Sequence, residues 1–118
     1  SAVGTIRKNP EIFFKNKGPN FKELNMLQEK MLNKASKLLN IGGLIIYMVC
    51  SFLENETEEQ IKKFLYSNKD FKIFKFELPD HNIGYSKLIY NNYMLTIPDT
   101  ILNHNIDGYF AAYLKKIK

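Results

Sequence analysis

The feature that most limits how this chain can fold is Leu44-Ile45-Ile46-Tyr47-Met48-Val49-Cys50, an unbroken apolar run that follows Gly42-Gly43. The run is rich in β-branched and aromatic residues and does not alternate with polar ones. That is the pattern of a strand covered on both faces, as in a parallel sheet. A membrane span needs roughly 20 such residues, and no run here approaches that length.

Helices flank this strand. Asn20 followed by Glu23 reads as a helix N-cap with its reciprocal acceptor. Leu24, Leu27, Met31, Ala35 and Leu38 then recur at three- and four-residue spacing, which predicts an amphipathic helix over about 21–39. Gly42-Gly43 stops it. Thr57 with Gln60 forms a second capping-box signature ahead of Ile61, Phe64 and Leu65, predicting a helix over about 57–67. Glu54, Glu56, Glu58 and Glu59 suit the solvated, positive end of that helix. Further strands are expected at Phe71–Leu78, with its phase slipping near Phe74, at Tyr93–Ile97 before Pro98, and at Gly108–Leu114. Residues 1–19 read as an ordered loop and 79–92 as turns.

Helix–strand alternation around a two-sided strand predicts an α/β fold, a three-layer αβα sheet. The order begins in the middle, however. A doubly wound sheet opens with a strand and a Gly-rich turn that cradles its ligand, and neither is present. The chain also starts at Ser rather than Met, so residues are expected to precede Ser1.

Composition sets looser limits. At 118 residues and 45% apolar, the chain has the material for one core, which excludes disorder. Net charge is +5, and all basic residues but Arg7 are lysine. This suits a polyanionic partner such as RNA. Lys, Asn and Ile share A/T-rich codons, so genome composition can supply most of the excess, and the net charge carries little weight. The single cysteine, Cys50, excludes an internal disulfide and a multi-Cys zinc site and fits a reducing cytosol.

Among candidate groups, Cys50 stands at the carboxyl end of the apolar strand, where open α/β sheets place their binding crevice. A thiolate there is a strong nucleophile. A free cysteine is more commonly a small buried hydrophobe, and local sequence does not decide between the two. His81 and His104 lack a second ligand at metal spacing, so no metal is expected. Phe71, Phe74 and Phe76 interleaved with Lys72 and Lys75 resemble a base-stacking platform, although strand core is the commoner role of such phenylalanines. Arg7-Lys8 beside Asn9-Pro10 is a basic pair in a loop.

Taken together, these pieces resemble the Sun (Fmu) family of S-adenosylmethionine-dependent RNA cytosine-5 methyltransferases. Residues Ser1 to Ile12, with Gly4, Arg7, Lys8, Asn9 and Pro10, are similar to the stretch that follows the family's Pro-Cys dipeptide. Gly42-Gly43-Leu44-Ile45-Ile46-Tyr47-Met48-Val49-Cys50-Ser51 is similar to its Gly-Gly-x-hydrophobic-x-Tyr-x-Thr-Cys-Ser strand, with Val49 in place of Thr. Asp107-Gly108-Tyr109-Phe110-Ala111-Ala112 resembles its closing strand.

The resemblance implies that residues 1–118 are the C-terminal part of one Rossmann-like catalytic domain, with an antiparallel strand among its last. The cofactor-binding N-terminal half is absent. It implies that Cys50 adds to cytosine C6, that Arg7 and Lys8 hold RNA backbone, and that Ser51, Asp107 and Gly108 lie on the substrate side. The family's second cysteine, which helps release product, would precede Ser1. The parent is expected to be a cytoplasmic methyltransferase that uses S-adenosylmethionine, with ribosomal RNA as its substrate. This chain alone is expected neither to bind the cofactor nor to methylate, so whether it is itself an enzyme stays open. One alternative is half of a split methyltransferase; another is a non-catalytic RNA-binding or interaction module. No membrane role is expected. Because the family pairs strand 44–49 with a strand upstream of Ser1, that edge should be bare here, favouring self-association or pairing with a missing half.

Overall fold

The computed structural model describes residues 1–15, 18–75, 88–101 and 104–118. Its frame is an antiparallel sheet centred on the last strand. In chain order the elements are α1 (Phe21–Leu38), β1 (Leu44–Val49), α2 (Glu58–Ser67), β2 (Phe71–Phe74), β3 (Ile89–Tyr90), β4 (Tyr93–Leu95), β5 (Asp99–Ile101), β6 (His104–Ile106) and β7 (Phe110–Lys116). Short 3₁₀ turns at Val3–Thr5, Pro10–Phe14 and Glu54–Glu56 join them.

Strand β7 pairs with β1 along one side, from Leu44↔Lys115 to Val49↔Phe110. Its other side is shared by β2 and β4, and β3 extends β4. Strands β5 and β6 form a separate hairpin that the sequence reading missed. Their apolar residues are too few and too short in period to stand out. The predicted strand at 71–78 is seen as far as Phe74. Residues 76–78 and His81 lie outside the described residues, as does most of the expected turn region.

Helix α1 begins where expected, with the Asn20 side chain accepting from the Glu23 amide at 3.3 Å. It ends at a turn that needs Gly42, whose φ of 85° lies in the left-handed region. That turn is tied to the last strand. The Gly42 amide donates to the Lys116 carbonyl at 2.8 Å, and the Lys116 amide donates to Gly43 at 2.9 Å. The Lys116 ammonium then donates to the Ser36 and Leu39 carbonyls at 3.3 and 3.0 Å, satisfying the helix's negative end.

The second capping box does not form. Thr57 Oγ1 turns back to the Leu53 carbonyl at 2.9 Å, and Gln60 donates to the carbonyls of Asn25 and Asn55. Gln60 is buried, and its amide nitrogen is satisfied by those two carbonyls. A polar group buried there must find partners on the neighbouring segments.

Both helices cover one face of the sheet. Leu32 of α1 and Ile61 and Phe64 of α2 pack on Ile45, Tyr47, Phe110, Ala112 and Leu114. The continuous apolar run therefore resolves into alternation. Ile45 and Tyr47 are buried, while Leu44, Ile46 and Met48 are exposed on the opposite face. Its partner β7 is antiparallel, and β1 has no strand on its second side among the described residues.

Helix α1 differs from its predicted stripe in the same sense. Leu32, Ser36 and part of Ala35 face the core, whereas Leu27, Met31 and Leu38 are exposed. Met31, Ala35, Ile46 and Met48 help line an open, apolar groove of about 360 Å³ between α1 and β1. The apolar surface that the sequence encodes is thus wider than the chain itself covers, so its outer part stays in water. No described helix is long and apolar enough to cross a membrane.

These two classes of apolar residue predict different mutational costs. Leu114→Ala should destabilise the chain by about 3 kcal/mol, because it removes fully buried methyls and leaves a cavity. Met48→Ser should change stability by less than about 0.5 kcal/mol in the isolated chain. Urea unfolding of both variants checks the pair.

Candidate active site

The antiparallel β1–β7 register sets the carboxyl end of β1 beside the amino end of β7. Two loops meet there, Cys50-Ser51 leaving β1 and Asp107-Gly108 entering β7. The amino-terminal segment is wedged between them. Gly4 donates its amide to the Cys50 carbonyl at 3.0 Å and accepts from the Gly108 amide at 2.6 Å. Only glycines allow this approach. A Cβ at Gly4 would lie 1.8 Å from the Gly108 carbonyl oxygen, and one at Gly108 would lie 2.9 Å from the Gly4 Cα.

This junction delivers Arg7 and Lys8 to Asp107. Arg7 Nε meets Asp107 Oδ1 at 3.2 Å and Lys8 Nζ meets Oδ2 at 2.9 Å. The carboxylate is buried, while Lys8 is mostly exposed. The Lys8 hydrogen bond, reinforced by the charges of Lys8 and Arg7, holds Asp107 below its ordinary pKa against the opposing effect of burial. Two cations on one carboxylate leave a net positive charge facing solvent. The loop behind is fixed by Thr96, which was not singled out from the sequence. Its hydroxyl donates to the Asp107 carbonyl and accepts from the Tyr109 amide, both at 2.7 Å.

On the other side of Cys50 lies Glu56, whose side chain is completely buried. It was expected on a solvated helix end; instead the 3₁₀ turn at Glu54–Glu56 rotates it inward. Ser51 donates to its Oε2 at 2.7 Å and Gln28 to its Oε1 at 3.3 Å. The Ser1 amino group donates to Oε1 at 2.8 Å, and the Ser1 hydroxyl donates to Oε2. Burial pushes the Glu56 carboxyl up, but these donors outweigh it and hold the group below the usual carboxylate range. Tyr47 donates its hydroxyl to the Glu56 carbonyl at 2.8 Å; burial first, and the Glu56 charge second, push its pKa up.

Cys50 is exposed at the mouth of this arrangement. Arg7, Lys8, Asp107 and Gly108, named from sequence, converge on the same end of the sheet. Ser51 is there too, but its hydroxyl is buried against Glu56 and also accepts from the Leu53 amide at 3.2 Å. It holds the loop rather than facing outward. Gly42-Gly43, the Gly pair, closes a helix-to-strand turn at the opposite end of the sheet. What the arrangement can do chemically is present a thiol, beside a cationic loop, to a molecule that docks from outside.

The buried contacts and the glycine junction predict the effects of three substitutions. Glu56→Ala should destabilise the fold by about 3 kcal/mol, since it strands the donors that converge on the carboxylate. Because its folded pKa lies below the unfolded value of about 4.3, Glu56 contributes fully above that pH and the contribution fades as pH falls through the folded value. Glu56→Gln should therefore flatten the acid limb of a stability–pH curve read by circular dichroism. Gly4→Ala should cost about 1–3 kcal/mol by overpacking the junction, with chemical shifts moving at Cys50 and Gly108.

Residues 1–115 match the family model described as 16S rRNA methyltransferase RsmB/F. The chain is 32% identical over 118 residues to ribosomal RNA small subunit methyltransferase B of Shewanella oneidensis, covering 98% of this chain and 25% of that protein. It is 28% identical over 116 residues to the probable ribosomal RNA small subunit methyltransferase B of Synechocystis sp., with the same coverage of each. The chain therefore spans about a quarter of the length of these curated relatives. Among solved structures it is similar to PH0851, with a TM-score of 0.79 at 30% identity over 98% of this chain and 24% of that one. NSun6 from Pyrococcus horikoshii with SFG shares the fold, with a TM-score of 0.59 at 23% identity over 82% of this chain and 23% of that one. The sheet and its helices share the fold of part of a Rossmann-like methyltransferase domain, and the chain belongs to the RsmB/F family of 16S rRNA methyltransferases.

Proposed function

We propose that this chain is the substrate-side part of a ribosomal RNA cytosine-5 methyltransferase in which Cys50 is the nucleophile. The observation that carries this reading is the exposed thiol at the carboxyl end of β1. A glycine junction fixes it beside the Arg7–Lys8–Asp107 cluster.

Cytosine C5 is a weak nucleophile because the ring withdraws its electrons. When the Cys50 thiolate adds to C6, an Sγ–C6 bond forms and the C5–C6 π pair moves onto C5, which becomes nucleophilic. S-adenosylmethionine, held by the rest of the parent domain, supplies the electrophilic methyl group. A base (water or a group from the rest of the domain) then takes the C5 proton. The C5–H pair re-forms the C5–C6 π bond, and the Sγ–C6 pair leaves with Cys50 as thiolate. A base must leave its stack to reach the thiol. Arg7 and Lys8, at the mouth of the site, are suited to hold the phosphates beside a flipped base. Asp107 orients these two cations, and Gly108 lets the Gly4 backbone that leads into them approach closely. Ser51 and Glu56 fix the loop that carries Cys50. A ribosomal RNA substrate fits a cytoplasmic location.

The groove between α1 and β1, with the free side of β1, supports a second element of the proposal. The cofactor-binding part of the domain adds a strand to β1 and covers Leu27, Met31, Ile46 and Met48. Self-association through the same surface, or a purely RNA-binding role, is the competing reading. Isolated chain is expected to transfer no labelled methyl from S-adenosylmethionine to ribosomal RNA. Co-expression with the upstream part of the domain should give a co-purifying, active complex that Cys50→Ala inactivates by at least about 10³-fold. Methyl transfer by the chain alone, or full activity of Cys50→Ala in the complex, would contradict the assignment.

A further inference from the structure

At the end of the sheet opposite Cys50 lies a second cationic surface. The β1–β7 register separates the two ends by five residue steps, or about 17 Å of strand. An open pocket of about 540 Å³ there is lined by Lys72, Phe74 and Lys75 of the β2 region, Lys115 and Lys116 of β7, and the Ile41-Gly42 turn.

The arrangement within β2–β7 is unusual for a structural surface. Lys72 stands directly across from Lys115 in the register. Like charges in that relation repel, and sheets ordinarily place an opposite charge there. No carboxylate among the described residues pairs with Lys72, Lys75 or Lys115. Asp70, on the same turn, is 3.8 Å from Lys116 instead. Phe74 lies on the same face, about two-fifths exposed, with the Lys115 ammonium 5.1 Å from its ring centroid. The Phe–Lys interleaving noticed in the sequence thus divides in two. Phe71 belongs to the core and packs edge-on against Phe64, whereas Phe74 faces outward among lysines.

We infer that the Lys72–Phe74–Lys75–Lys115 surface is a second RNA-contact site, which binds single-stranded backbone phosphates and stacks one base on Phe74. A row of phosphates supplies the negative charge that no carboxylate among the described residues gives the opposed lysines. An exposed ring bordered by cations is the platform on which unpaired bases stack without sequence preference. That the polyanion is RNA rests on the proposed function; its negative charge is argued from the patch alone. The site goes beyond the Cys50 pocket in purpose. It would hold a flanking strand of the substrate while the target base is engaged at the far end.

The test uses the parent chain and a fluorescein-labelled oligouridine of about 12 nucleotides, with anisotropy read across a salt series. Lys72→Gln/Lys75→Gln/Lys115→Gln should weaken binding about tenfold or more and reduce the log–log salt slope by about 2, close to 0.7 for each lost phosphate contact. Phe74→Leu should weaken binding several-fold and leave the slope unchanged, because stacking releases no counterions. Far-ultraviolet circular dichroism should show both variants folded, since Lys72, Phe74 and Lys75 are exposed, Lys115 is half-buried, and the lysines repel. Unchanged affinity in both variants overturns the inference, as does absence of oligouridine binding by the parent at low salt. Binding of anionic phosphatidylserine vesicles that the triple variant loses, with RNA binding intact, also overturns it and assigns the patch to a lipid surface. Arg7→Gln/Lys8→Gln, tested alongside, reports on the Cys50 end, so failure of the two sites is distinguishable.

Discussion

The structure depends on a carboxylate out of reach of water. Glu56 is fully buried, yet it stays ionised because donors from the amino-terminal segment, from α1 and from the Cys50-Ser51 loop converge on it. Burying such a charge costs several kcal/mol, and the donors offset that only when all are in place. The contact therefore contributes geometry more than net stability. It ties the chain's first residue to its fifty-sixth and fixes the backbone on one side of Cys50. Gly4 fixes the other side, and through Gly108 and Asp107 it passes that order on to Arg7 and Lys8.

The second constraint is the surface that remains uncovered. One face of the sheet is closed by both helices, while the outer stripe of α1 and the exposed face of β1 stay apolar and open, and the second edge of β1 has no strand among the described residues. A chain that spans about a quarter of its relatives' length has fewer elements with which to cover them. The groove and the thiol adjoin the same strand, so whatever fills the first is brought close to the second.

Much of the frame was legible from local pattern. The Asn20 cap, both helices, the β1 run and the closing strand register directly in residue spacing, because each depends on neighbours a few positions away. What the pattern hid was set by distant partners. Glu56 read as one of four solvated acids, since nothing nearby shows that a 3₁₀ turn rotates it towards Ser51 and Gln28. Gln60 read as a cap because its true partners, the Asn25 and Asn55 carbonyls, belong to other segments. The apolar run read as covered on both faces, which describes the surface it presents but not what this chain puts there. Of the site, Cys50, Arg7, Lys8 and Asp107 were named through family-like motifs; Thr96 and Gly4 acquire their roles only when the loops meet.

The central claim is that Cys50 is the residue that bonds to cytosine C6, and covalent trapping tests it most directly. RNA carrying 5-fluorocytosine has no C5 proton to lose, so methyl transfer in the assembled enzyme should stall with the base still attached to sulfur. Peptide mass spectrometry of that complex should find a nucleotide adduct on the peptide containing Cys50, absent when S-adenosylmethionine is withheld. An adduct on a cysteine from elsewhere in the enzyme, with the Cys50 peptide unmodified, would contradict the account.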